Sequence, residues 1–85
     1  MVHIENKIKG IIIDTLQLRG DASELSSITP LRDDIFKDFL DVFLVRFDLE
    51  DTFDVSFENS PEGTFETIQS ISEEIEKLLE EKEES

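Results

Sequence analysis

The sequence predicts an all-α fold: a four-helix bundle of three long helices and one short one, with a long loop between the first two. Three observations carry this expectation. Apolar residues recur at three- and four-residue spacing in three separate segments. Gly and Pro are absent from the second and third of these segments, and no two alternating segments offer strands to one another. At 85 residues the chain has material for a single core.

Ile4, Ile8, Ile11, Ile12 and Leu16 line one stripe of an amphipathic helix from about His3 to Leu18. Gly10 lowers its helix preference by about 1 kcal/mol relative to alanine, and Gly20 is expected to end it. Arg19 to Leu31 reads as a long loop with turn residues Gly20, Asp21, Ser23, Ser26, Ser27 and Pro30, in which Leu25, Ile28 and Leu31 are expected to reach the core. The second helix is expected to start between Asp33 and Phe36 and to run to Phe53, with acidic residues favouring its N-terminus. Two stripes nearly encircle it. One holds Phe36, Phe39, Leu40, Phe43 and Phe47, the other Val42, Val45, Leu49 and Phe53. One stripe belongs in the core, and an aromatic row left outside would mark a partner surface.

Phe53 to Phe57 alternates like a strand but has no second strand to pair with, so an extended connector is expected. Ser60-Pro61-Glu62 reads as the capped start of a short helix stopped by Gly63. The last helix is expected to begin near Thr64, with Thr64 and Thr67 as capping groups, and carries Phe65, Ile68, Ile71, Ile75, Leu78 and Leu79 at helical spacing. Residues 1–79 thus form the helical domain, and residues 80–85 an acidic tail expected to be disordered.

Asp and Glu number 22 against 8 Lys and Arg, a formal net charge of −14, which disfavours nucleic acid and anionic membranes and favours partners with basic surfaces. A monomer is expected. The absence of cysteine excludes disulfides and thiolate chemistry. The N-terminus lacks the pattern of a secretion signal and Ile11 to Ile13 is too short to span a bilayer, so a cytoplasmic protein is expected. Catalytic residues are not expected, because His3 is the sole histidine and the serines have no base to activate them. A metal site from Asp48, Glu50, Asp51 and Asp54 lacks the glycine that a calcium loop needs.

Three stretches carry a family resemblance that spans about Ile4 to Leu79. The first is Ile4-Glu5-Asn6-Lys7-Ile8-Lys9-Gly10-Ile11-Ile12. The second runs from Thr29-Pro30-Leu31-Arg32-Asp33-Asp34-Ile35-Phe36-Lys37-Asp38-Phe39-Leu40-Asp41 to Leu49-Glu50-Asp51-Thr52-Phe53-Asp54-Val55, and the third is Thr64-Phe65-Glu66-Thr67-Ile68-Gln69-Ser70-Ile71. Together they resemble the acyl carrier protein family. The second is the most specific, being similar to that family's run of acidic residue, Leu, Gly, variable residue, Asp, Ser, Leu, Asp. The resemblance implies an acyl-carrier-like four-helix bundle connected with fatty-acid, polyketide or related thioester biosynthesis.

The family carries phosphopantetheine on the serine of an Asp-Ser-Leu triplet. Here the triplet is Asp38-Phe39-Leu40, and no serine lies between Ser27 and Ser56. Phe39 has no oxygen to bear a phosphodiester, so no cofactor is expected. Phe36 replaces the preceding glycine. The resemblance further implies docking to basic surfaces of carrier-dependent enzymes through the second helix, by Asp38, Leu40, Asp41, Phe43, Leu44, Phe47, Asp48, Glu50 and Asp51. Leu44 stands where a recognition glutamate is common, and Arg46 where an apolar residue faces inward; its stem is expected to lie on the core with the guanidinium in water. Two alternatives stand beside arm-free docking: a working phosphopantetheine carrier, and an unrelated acidic adaptor that mimics a polyanion.

Overall fold

The computed structural model describes residues 2–17 and 25–84. Among them the chain is all-helical: α1 (Val2–Leu16), a single turn α2 (Leu31–Asp34), α3 (Phe39–Phe53), a 3-10 turn η1 (Glu62–Phe65) and α4 (Ile68–Glu84). Helix α1 packs against both α3 and α4, and η1 packs against α4. The expected small helical bundle is therefore present, with three long helices.

The core forms where the stripes meet. Ile8 and Ile12 of α1, Val45 and Leu49 of α3, and Ile68, Ile71 and Ile75 of α4 are fully buried. Leu25, Leu31, Phe36 and Phe57 come in from the connections. Helix α1 ends at Leu16, where Gln17 takes a left-handed conformation with φ of 54° and its N–H donates to Asp14 O. This is ahead of the stop expected at Gly20, which lies outside the described residues, as do Leu18 and the loop up to Ser23 and Glu24.

The described part of the first loop is anchored at two ends. Leu31 N–H donates to Glu66 O at 2.8 Å, and Gln69 N–H donates to Ser27 O at 2.9 Å, so the loop is tied to the start of α4. Leu25 and Leu31 are buried as expected, but Ile28 is 70% exposed and reaches no core. It sits in a turn closed by Thr29 N–H on Ser26 O, and this turn directs it outward.

The expected start of the second long helix needs correction. Leu31–Asp34 forms a turn of its own, closed by Asp34 N–H on Pro30 O and Ile35 N–H on Leu31 O. The chain then breaks, Phe36 enters the core, and α3 begins only at Phe39. Phe36 therefore does not belong to the α3 stripe. Helix α4 likewise starts later than expected, at Ile68, because Thr67 and Ser70 form a reciprocal cap. Ser70 N–H donates to Thr67 Oγ1 at 3.0 Å and Thr67 N–H to Ser70 Oγ at 3.1 Å. Thr64 is buried instead, its hydroxyl donating to Pro61 O at 2.7 Å. Gly63 lies within the 3-10 turn that it was expected to end.

At its far end α3 stops on Asp54, a left-handed residue with φ of 54° and ψ of 50°. Such a residue is the usual end of a helix, although glycine is the commoner occupant. Lys82 Nζ donates to Asp54 O at 3.0 Å and forms a salt bridge with its carboxylate. The segment from residue 80, expected to be disordered, is thus helical through Glu84 and joined to the end of α3. The hydrogen bond from Lys82, and then its charge, hold the Asp54 carboxyl below its ordinary value of 3.8. A depressed carboxylate contributes stability at pH above its unfolded value and loses it as pH falls through the folded one. Carboxyl chemical shifts followed by NMR should show Asp54 titrating below pH 3.8, and Lys82→Ala should return it toward that value.

Candidate functional site

Asp38 opens the site. Its backbone is extended, and its Oδ1 accepts N–H bonds from Leu40 at 2.9 Å and Asp41 at 3.3 Å, two of the donors that a helix start leaves unpaired. Asp41 reaches back so that its Oδ2 accepts Lys37 N–H at 2.8 Å. The two carboxylates fix the first turn of α3, and this turn presents Phe39 as its first residue.

From there α3 is divided lengthwise. Val45 and Leu49 are fully buried, with Val42 and Phe53 packed partly beside them. The other stripe faces out: Phe39 is 75% exposed, Leu40 61% and Phe47 60%, with Leu44 exposed and Phe43 half-buried. Four-residue spacing stacks the three rings along one row. Phe39 meets Phe43 edge-on with centroids 4.9 Å apart, and Phe43 lies nearly parallel to Phe47 at 6.0 Å. These are favourable aromatic geometries, formed here on the surface.

The ridge is bordered by two grooves. The larger, about 450 Å³, is walled by Phe39, Val42 and Phe43 on one side and by Phe57, Pro61 and Phe65 on the other, with Arg32, Arg46, Glu58 and Glu62 among its charged groups. Phe57 and Phe65 meet edge-on at 5.1 Å across its floor. Phe39 lines its mouth without filling it. The second groove, about 310 Å³, is lined by Leu16, Ile35, Lys37, Asp41 and Leu44.

The acidic residues expected to face a partner divide into two groups. Asp38, Asp48 and Asp51 are exposed and Asp41 is half-buried, and Asp48 also accepts a hydrogen bond from the Thr15 hydroxyl of α1. Glu50 is turned inward: its Oε2 accepts Phe57 N–H at 2.8 Å and lies 3.6 Å from Arg46 Nε. It holds the connector against α3 and is not available as a docking charge. Arg46 lines the larger groove with a third of its side chain exposed, and its Nε is buried beside that carboxylate without a hydrogen-bond acceptor.

Phe57, Phe65 and Arg32 complete the larger groove but were not among the residues expected at the site. The sequence signal was the pair of phenylalanines flanking Ser60-Pro61-Glu62, a turn that brings them together. Among the described residues, no three His, Cys, Asp or Glu side chains are gathered closely enough to hold a metal ion, and no helix is long and apolar enough to cross a membrane. The His3 side chain lies outside the described residues. Phe39 itself offers no atom for a phosphodiester. What the arrangement supplies is an apolar ridge, two adjoining grooves and an acidic margin.

No family model matches the chain, and neither a curated protein nor a solved structure does.

The cap and the ring beside it have opposite energetic roles. Asp38→Ala should lower stability by about 1 kcal/mol through loss of the cap, whereas Phe39→Ala, on an exposed side chain, should change it by less than about 0.5 kcal/mol. Chemical denaturation of the two variants checks both values.

Proposed function

We propose that this protein is an acyl-carrier-like module without a phosphopantetheine arm. It acts as a non-catalytic, monomeric docking partner for basic surfaces of cytoplasmic enzymes that use carrier-bound thioesters in fatty-acid, polyketide or related biosynthesis. One observation carries the reading: Phe39 is the first residue of α3, directly after the Asp38 cap, and its ring stands in solvent. In the family that the sequence resembles, this is the place of the serine that bears the arm. A side chain there projects from a helix N-terminus where a modifying enzyme has room to approach.

Three further features support it. Three long helices, with a single turn before the second and a 3-10 turn before the last, make a small helical bundle compatible with the fold that the resemblance implies. The exposed Asp38, Asp48 and Asp51 give α3 an acidic margin suited to lysine and arginine. The larger groove lies beside Phe39, between α3 and the segment leading into α4, where a carrier scaffold would hold cargo.

Incubation with coenzyme A and a promiscuous phosphopantetheinyl transferase, followed by intact mass spectrometry, tests the reading. The native chain should gain no mass, and Phe39→Ser should gain about 340 Da, the mass of the arm. Labelling of the native chain would contradict the arm-free reading. Failure of Phe39→Ser to label would show that Phe36 or other changes have removed transferase recognition too.

A further inference from the structure

The aromatic ridge is a larger apolar feature than a docking face built from charge requires. Monomeric proteins scatter single apolar residues over their surfaces but seldom align them. Here five consecutive members of two adjacent rows, Phe39, Leu40, Phe43, Leu44 and Phe47, are exposed or half-buried, and the rings support one another. At 1.5 Å per residue the ridge is about 12 Å long, a little over two helical turns. A groove runs on either side of it, one floored by Phe57 and Phe65 and the other bordered by Leu16 and Ile35. Ridge and grooves together are the complement of a helix that presents its own ridges at three- and four-residue spacing.

Charge selects the occupant. Asp41 and Asp48 follow one edge of the stripe, Asp38 lies at its start and Asp51 near its end. On the opposite edge the one cation of α3, Arg46, is already paired with Glu50. A second copy fits poorly. Antiparallel pairing of two α3 helices would set the Asp41 and Asp48 edge against itself, and parallel pairing would set it against an edge whose cation is taken. With a net charge of −14 the whole chain adds to that repulsion.

We propose that the ridge of α3 binds an amphipathic partner helix whose apolar stripe enters the two grooves and whose lysine or arginine side chains flank that stripe. The proposal rests on the docking part of the reading above and on none of its ancestry. The rings supply the affinity, as buried aromatic anchors do in protein interfaces, and the carboxylates supply discrimination and speed of encounter.

The probe is a designed helical peptide of about 18 residues with a leucine stripe, lysines elsewhere and one tryptophan beside the stripe. The chain has no Trp or Tyr, so the peptide's fluorescence reports binding without interference. Saturable binding at one-to-one stoichiometry is expected. Phe39→Ser/Phe47→Ser should weaken it by at least about tenfold, with an unchanged far-ultraviolet circular dichroism spectrum because both rings lie outside the core. A peptide with glutamates in place of the lysines should bind at least about tenfold more weakly, and so should one with serines in place of the stripe leucines.

Equal binding of the serine-striped lysine peptide would overturn the inference and leave acidic docking standing. Equal binding of the glutamate peptide would overturn the charge selection. A Phe47-dependent dimer in sedimentation, or Phe39- and Phe47-dependent binding to phosphatidylcholine vesicles, would overturn the choice of occupant. Labelling of the native chain by coenzyme A would count against the arm-free reading alone, since it leaves peptide binding untouched.

Discussion

Burial of the Val45 and Leu49 face of α3 against the isoleucines of α1 and α4 is the constraint on which the rest depends. A helix with apolar residues on most of its circumference has no unique orientation from pattern alone, since either stripe could turn inward. The choice is made by fit. Val45 and Leu49 share one buried cluster with Ile8, Ile12 and Ile71, with Val42 packed against it, while Phe39 and Phe47 are left to solvent and Phe43 is half-buried. Inverting the helix would place three large rings in a core already occupied by Phe36 and Phe57, an overpacking that cores of this density do not accept.

Several local devices keep that orientation. Asp38 and Asp41 fix where α3 begins, and the left-handed Asp54, held by Lys82, fixes where it ends. Thr15 on Asp48 ties the helix to α1, and Glu50 binds the following connector through Phe57 N–H while facing Arg46. Polar side chains along α3 thus serve two purposes. Glu50 and Asp54 lock the helix to its neighbours, whereas Asp38, Asp48 and Asp51 keep exposed carboxylates beside the aromatic row. The surface that results joins an apolar ridge to an acidic margin, a combination suited to recognition.

The long helices were legible in the sequence because their stripes are periodic and the punctuation between them is strong. Ile8, Ile12, Ile68, Ile71 and Ile75 occupy the core positions that the spacing assigns. The division of α3 into two stripes was legible too, but not which of them is buried, since the outcome depends on side-chain volumes contributed by other helices. The boundary errors have local causes. No Gly or Pro separates Leu31 from Phe53, so the break at Phe36 is invisible to a search for helix breakers. The signal present was Asp38 followed three residues later by Asp41, an acidic variant of the reciprocal cap that Thr67 and Ser70 form more conventionally. Glu50 looked like a surface charge because its partners, Arg46 and the Phe57 amide, meet it only after the connector folds back. The larger groove was hidden for the same reason: its far wall comes from residues 14 or more positions beyond its near one.

The outward orientation of the aromatic row is tested most directly by fluorine NMR. The seven phenylalanines can be labelled together with a fluorinated analogue, assigned by single substitution and exposed to a soluble paramagnetic agent. The resonances of Phe39 and Phe47 should broaden strongly, that of Phe43 partly, and those of Phe36 and Phe57 hardly at all. Protection of Phe39 and Phe47 equal to that of Phe57 would mean that α3 is turned the other way, and the account of the surface built on it would fail.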